Sequence, residues 1–368
     1  MVIGKVKEVF PGGNTPQGFV SFFDYIIPAD TCRIMILKGG PGVGKSTFMK
    51  KIANRMMEKG YDVEFHHCSS DDDSLDAVVF PKIGVALLDG TSPHIVDPKH
   101  PGAVDEIIHL GDYWDETGIR KHKDEIISIN QKIGKMFQRA YRFLRAAKSI
   151  HDDLEITVGE GLDIGLANQR AATLIETLFN GCSIGERIGF CRKLFGSAIT
   201  PKGFVHHLET VFAPYQHIWM VTGEAGTGKA TLIAKLAQAA VERGMNCEAY
   251  YCPFDPDKME HLVIPELNIA VTTGVDPHRV DLDDRKVTMI DMNQCLRPGH
   301  WQKVQAVIAE DRQFIDELTK RAIHCLAETK REHDRLEQYY IPYMDFQAIS
   351  ALGEGILARV LKGAECSS

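Results

Sequence analysis

The sequence has no apolar run approaching the roughly 20 residues that a helix needs to cross a bilayer. It also has no excess of basic charge. A formal net charge of −8 over 368 residues argues against a broad electrostatic footprint for nucleic acid or an anionic membrane, although it leaves room for a local basic groove. The nine cysteines show no paired metal-type spacing, and Cys247 and Cys252 do not make a zinc motif. The opening stretch, Met1-Val-Ile-Gly-Lys-Val-Lys-Glu8, lacks the apolar segment of a secretory signal. These features together give the expectation of a cytoplasmic protein with reduced thiols. Two chemical signatures are missing as well. There is no N-K-x-D guanine-reading motif, and no glutamate follows the strand-end Asp89, where many motor-type ATPases place the residue that activates water.

What is present is one phosphate-binding pattern, twice. Gly39, Gly40, Pro41, Gly42, Val43, Gly44, Lys45, Ser46 and Thr47 contain G-x-x-x-x-G-K-[ST], the P-loop or Walker A pattern. The glycines let backbone N–H groups turn inward around a polyphosphate. Lys45 then reaches the β/γ-phosphates, and the Ser46 hydroxyl binds Mg²⁺. A strand-like run, Arg33-Ile-Met-Ile-Leu37, precedes the pattern. Phe48, Met49, Ile52, Ala53, Met56 and Met57 follow it at helical spacing, with Gly60 as a C-terminal cap. Downstream, Gly223, Glu224, Ala225, Gly226, Thr227, Gly228, Lys229, Ala230 and Thr231 repeat the loop between a strand-like His217-Ile-Trp-Met-Val221 and another helical pattern. A single glycine-rich turn means little, but two at matching places do not read as chance.

The whole chain repeats with them. Val9-Phe10 and Thr15-Pro-Gln-Gly-Phe-Val20 match Leu194-Phe195 and Thr200-Pro-Lys-Gly-Phe-Val205. His67-Cys68 and Asp71-Asp-Asp73 match Tyr251-Cys252 and Asp255-Pro-Asp257. His151-Asp-Asp-Leu-Glu155 matches His333-Asp-Arg-Leu-Glu337. The repeat is about 184 residues long, which is domain-sized. The expectation is two tandem α/β P-loop NTPase-type domains, residues 1–184 and 185–368. Each has a mainly parallel sheet flanked by helices and a long helical segment, near 119–153 and 300–338. The strands expected in the first half are 33–37, 62–67, 83–88 and 106–111.

Val85-Ala-Leu-Leu-Asp89 is an apolar strand ending in a carboxylate, the pattern that holds Mg²⁺ beside the loop hydroxyl. Asp89 is therefore the expected second metal ligand with Ser46, and Asp112 is its rival. The plain alternative is that Asp89 only starts the Asp-Gly turn. In the second half Ala230 stands for Ser46 and Thr273 for Asp89, so both expected ligands of one ion are lost together. Asp291 remains there as a carboxylate at the end of a strand. The N-terminal copy is thus the expected catalytic site, and the C-terminal copy a weak, metal-free or regulatory one.

Other candidates carry weaker signals. Asp71-Asp-Asp73 reads either as a functional acidic cluster or as a loop that caps the next helix. His94 and His278 read as local hydrogen-bonding residues or as phosphate contacts. Arg139, Arg142 and Arg145 step along the long helix with Lys148 beyond, as a solvent face or as an arginine lid over phosphate. Arg139 is preferred because Arg321 occupies the matching place.

Gly39–Thr47, Leu88-Asp-Gly-Thr-Ser-Pro-His94 and the degenerate loop Gly223–Thr231 give the chain a resemblance. It resembles an uncharacterised family of tandem P-loop NTPases from bacteria, associated with spore-forming Firmicutes, whose members look like ATPases or nucleotide kinases. That resemblance implies ATP or a related nucleotide as ligand, without fixing the reaction. The expectation is Mg²⁺-dependent phosphoryl transfer from ATP to water or a small molecule, with Lys45, Asp89 and Arg139 as the acting residues. The alternative is a nucleotide switch read by a partner protein. Base preference and oligomeric state stay open.

Overall fold

The structure is a computed structural model that describes residues 3–27, 32–91, 95–277, 280, 282 and 285–366. The first half opens with β1 (Val6–Val9) and a small hairpin of β2 (Gly12–Thr15) and β3 (Gly18–Ser21). β4 (Arg33–Lys38) then runs through a glycine turn into α1 (Lys45–Glu58). After α1 come β5 (Val63–Cys68), β6 (Asp71–Phe80), β7 (Val85–Asp89) and β8 (Asp105–His109). Three helices follow: α2 (Glu116–Arg120), α3 (Lys123–Gly159) and α4 (Ile164–Leu178).

The second half repeats the order. β9 (Cys191–Phe195) is followed by a hairpin of β10 (Ser197–Thr200) and β11 (Gly203–His206), then α5 (Leu208–Phe212). β12 (His217–Thr222), α6 (Lys229–Glu242), β13 (Cys247–Tyr251), β14 (Met259–Ile264), β15 (Ile269–Thr273) and β16 (Lys286–Asp291) come next. The chain closes with α7 (His300–Glu337) and α8 (Phe346–Cys366).

The fold is α/β with two mixed six-stranded sheets, ordered β1-β5-β6-β7-β4-β8 and β9-β13-β14-β15-β12-β16, which is one topology used twice. Most pairings are parallel. β6 and β14 are the exceptions, each antiparallel to both its neighbours. β6 corrects the expectation for Asp71-Asp-Asp73. These residues do not lead into a helix; they open a ten-residue strand whose later part, Leu75 to Phe80, is buried. No helix among the described residues is long and apolar enough to cross a membrane.

One helical face covers each sheet. α1 buries Phe48, Met49, Ile52, Ala53 and Met56 against Met35, Leu37 and Leu87. α6 buries Leu232, Ile233, Leu236 and Ala237 against Val221 and Val271. The last helix of each half packs on the other half. Ile349, Ile356, Leu357 and Val360 of α8 join the core around α1, whereas Ala171, Leu174 and Leu178 of α4 join the core around α6. The packed cores thus exchange α4 and α8 between the two halves of the repeat.

α3 and α7 bind the halves along their whole length. With 37 and 38 residues they span about 55 Å each at 1.5 Å per residue. They run antiparallel, since Ile126 and Ile129 meet Leu336, Ala140 and Leu144 meet Ala322 and Leu326, and Leu154 and Val158 meet Ile308.

The halves also meet at a local two-fold relation. Phe10 and Phe195 exchange both backbone hydrogen bonds, at 2.9 and 3.0 Å. Beside them Lys7 and Arg192, from matching positions, share Glu64 and Glu248. Arg192 reaches Glu64 at 2.8 Å and Glu248 at 3.2 Å, and Lys7 reaches them at 3.2 and 2.5 Å.

Candidate functional site

The first glycine turn joins β4 to α1. Gly42 and Gly44 have φ of 68° and 91°, a region that disfavours side chains, and Gly44 is the N-cap of α1. The leading N–H groups of α1 have no partner within the helix, and the turn points them at one place. The Lys45 ammonium folds back over the turn, donating to the carbonyl oxygens of Gly39 and Gly40 at 3.2 and 2.8 Å. It also lies 3.5 Å from Asp89 Oδ2. Asp89 ends β7, which pairs directly with β4 and sets Asp89 opposite Leu37. Its Oδ1 accepts from the Thr91 N–H and hydroxyl at 2.9 and 2.5 Å, so it does start the local turn while its other oxygen faces Lys45. Ser46 Oγ accepts from the Leu75 N–H at 3.0 Å.

The next residue on β6 is one that sequence reasoning missed. Asp76 is buried, and its carboxyl is pushed up to about 8, first by burial and then by the charge of Asp89. Lys45, Ser46, Asp89 and Asp76 thus converge from α1, β7 and β6. The available signal was an acid inside the otherwise apolar Leu75-Asp-Ala-Val-Val-Phe80, repeated as Glu260 inside Met259-Glu-His-Leu-Val-Ile264.

The long helices supply the other residues missed. A Cβ added at Gly42 would lie 3.0 Å from Glu337 Cβ and 3.1 Å from Ile341. One at Gly40 would lie 2.9 Å from the Tyr340 ring. The C-terminal end of α7 thus sits on the first turn. Beside it opens a cleft of about 820 Å³ lined by Asp112, Trp114, Asp115, Tyr343, Asp345 and Phe346.

The second turn repeats the two left-handed glycines, with Gly226 and Gly228 at φ of 81° and 86°, and adds a third at Gly223, at 135°. Lys229 donates to the carbonyls of Gly223 and Glu224 at 2.8 and 2.7 Å, and burial lowers its proton affinity. Here the end of α3 sits on the turn, and a Cβ at Gly226 would lie 2.2 Å from the Glu155 carbonyl oxygen. The turn is also tied from outside. The Glu224 N–H donates to Asn293 at 2.9 Å, and its carboxylate pairs with Arg312 of α7. Ala230 and Thr273 replace the serine and the aspartate, and Glu260 keeps the place of Asp76.

The remaining candidates do not join the cluster around Lys45. Arg139 is exposed in the middle of α3, its guanidinium 5.8 Å from the Phe143 ring and about 24 Å along the helix from Glu155, so it is not brought to either turn. Arg142 and Arg145 are likewise exposed, and Lys148 pairs with Asp152 and Asp255. The acidic cluster is an interface between halves: Asp72 and Asp73 meet Lys202 at 3.1 and 2.8 Å, and Asp71 lies 3.4 Å from Lys330. Asp112 is exposed and hydrogen-bonds His109, and Asp291 caps its own turn through the Asn293 N–H. His94 and His278 fall outside the described residues. No protein-family model, curated protein or solved structure matches the chain.

Proposed function

We propose that the first glycine turn is a P-loop for Mg·ATP, and that the chain transfers the terminal phosphoryl group there to water or a small acceptor. The observation that carries this reading is the convergence of an ammonium, a hydroxyl and two carboxyl groups on a turn whose helix N-terminus also favours anions. The donor set fits the ligand. Ser46 and Asp89 are oxygen donors of the kind magnesium takes, and Lys45 is a cation held at the turn. The bound nucleotide and metal would supply the phosphoryl group and most of the charge neutralisation. Lys45 would hold the β/γ-phosphates, the amides of Gly42 to Lys45 would orient them, and Asp89 with Ser46 would fix the metal. Trp114, Tyr343 and Phe346 give the neighbouring cleft aromatic surface on which a base or an acceptor ring would stack.

The test is ADP release from ATP and Mg²⁺ by the purified protein, with Lys45→Ala as the blank. Lys45-dependent multiple turnover supports the reading and makes water the default acceptor. Absence of both ATP binding and turnover, with and without an acceptor screen, removes it.

A second reading is a nucleotide switch. It is favoured by the seating of α7 on the first turn and α3 on the second, because occupancy of either turn would press on a helix that runs to the other half. Turnover at the rates usual for kinases, on the order of 1–100 s⁻¹, would count against it.

A further inference from the structure

Away from both glycine turns, Glu8, His67 and His207 gather at the boundary between the halves. Glu8 lies on β1, His67 near the end of β5, and His207 immediately before α5. One ligand atom from each lies within 4.8 Å of the other two. His67 Nε2 is 3.1 Å from Glu8 Oε1, and His207 Nδ1 is 3.9 Å from Glu8 Oε2. The two imidazoles stack with centroids 4.4 Å apart.

The hydrogen bonding assigns the His67 tautomer. Its Nδ1 lies 2.9 Å from the Asp72 carbonyl oxygen, which can only accept, so Nδ1 carries the hydrogen. In the neutral ring Nε2 is then a lone pair, and it points at a carboxylate oxygen. Two acceptors at this distance repel unless a cation stands between them, either a proton on His67 or a metal ion. A proton satisfies His67 and Glu8 only. It sets an imidazolium against the stacked His207 ring and leaves His207 without a role in the cluster. A metal ion uses all three side chains. The backbone hydrogen bond to Nδ1 is also the outer contact that orients metal-binding histidines.

The repeat shows that packing does not require this set. Lys193 occupies the place of Glu8, Tyr251 that of His67 and Phe22 that of His207. Phe22 and Tyr251 pack at 5.2 Å, with the Lys193 ammonium 5.8 Å above the Tyr251 ring. The same corner of the fold is therefore filled once by aromatic packing under a cation and once by three ligating groups. A second cluster, His151, Asp152 and Glu155, is different, because Lys148 and Lys258 already pair with its carboxylates.

We infer that Glu8, His67 and His207 bind a divalent transition-metal ion of the zinc class, which joins the two halves of the chain. Two imidazoles and one carboxylate suit Zn²⁺, Co²⁺ or Ni²⁺ better than the all-oxygen ions Mg²⁺ and Ca²⁺. Three protein ligands leave a fourth position for water. Bonds of about 2.0–2.2 Å need ligand atoms about 3.3 Å apart, so the His207 side chain closes inward by small rotations when the ion binds. The site shares no residue with the proposed nucleotide site.

The experiment uses the full chain, stripped with a chelator and titrated with Co²⁺ and then Zn²⁺. The readouts are the visible absorption of tetrahedral Co²⁺ and Zn²⁺ competition against a chelating indicator. The expected result is one equivalent bound, with Zn²⁺ displacing Co²⁺ and raising the melting temperature. His67→Gln and His207→Gln should each weaken binding roughly tenfold or more and remove the thermal shift. His109→Gln and Lys45→Ala should leave it unchanged. The melting temperature of the stripped variants shows whether they fold, and Glu8→Gln gives a third, gentler change. Absence of a Co²⁺ band and of Zn²⁺ binding overturns the inference, and so does binding that survives loss of both histidines. Failure of ATP turnover does not touch it.

Discussion

The two glycine turns are alike where packing governs and different where chemistry would. Both lysines fold onto the carbonyls of the first two residues of their own turn, and the matching glycines Gly42 and Gly226 lie under the end of the opposite long helix. Glycine at Gly42 and Gly226 is thus demanded by close approach, whatever binds there. Serine at 46 and aspartate at 89 have no such demand. Ala230 and Thr273 fill the equivalent places without loss of the strand or the helix. The pattern G-x-x-x-x-G-K therefore mixes two constraints, and only the residues that differ between the halves separate them.

The sharpest way to break the comparison is at the local two-fold, where matching residues Lys7 and Arg192 are not equivalent in strength. Arg192 also donates to the carbonyls of Tyr25 and Ile26 at 2.7 and 2.9 Å. Removing it leaves Glu64 and Glu248 with Lys7 in place of two cations and takes the side-chain donor from two carbonyls. Arg192→Met should cost about 3–5 kcal/mol in urea unfolding, and Lys7→Met clearly less. Acid should erase the difference. Burial alone would raise the Glu64 carboxyl, but Arg192 and Lys7 outweigh it and hold it well below its ordinary value of 4.5. A carboxyl lowered by folding contributes in full above its unfolded value and loses that contribution as pH falls below it. The gap between wild type and Arg192→Met should stay constant from pH 7 to about 5, then shrink towards pH 3.

At the turns themselves, Lys45→Ala should lower any Mg·ATP turnover on the order of 10²–10³-fold, and Lys229→Ala by less than about threefold. Equal losses would show that the halves act as one site. Next in size are the two glycines. Alanine at either must adopt positive φ, at about 1–2 kcal/mol. At Gly226 it must also displace the backbone oxygen of Glu155, whereas at Gly42 the nearest atoms belong to side chains. Gly226→Ala should therefore lower the melting temperature more than Gly42→Ala.

Much of the fold could be read directly. The repeat, the strands entering both turns and the helices leaving them follow from apolar period and glycine placement, and the structure sets Lys45 3.5 Å from Asp89. Two kinds of information were not legible. An amphipathic face on α4 or α8 says that something covers it, but not which core, so the exchange between halves has no local signature. β6 was hidden because its first residues, Asp71-Asp-Asp73, owe their polarity to lysines more than 100 residues away, at Lys202 and Lys330. Asp76 went unseen with it.

Arg139 gives the smallest effect and the cleanest check on that lesson. Its appeal in the sequence was a partner at the same place in the repeat, Arg321, but repetition preserves a helix surface as readily as a site. In the structure Arg139 lies over Phe143 on the exposed side of α3, and Arg321 pairs with Glu317 one turn away on α7. An exposed cation–ring contact is worth about 0.5–1 kcal/mol. Arg139→Ala should therefore change unfolding free energy by no more than about that amount and leave ATP turnover unaltered. A tenfold loss of turnover with stability intact would mean that the long helices slide far enough to carry this arginine to a turn. The pairing of α3 with α7 would then be one of two registers.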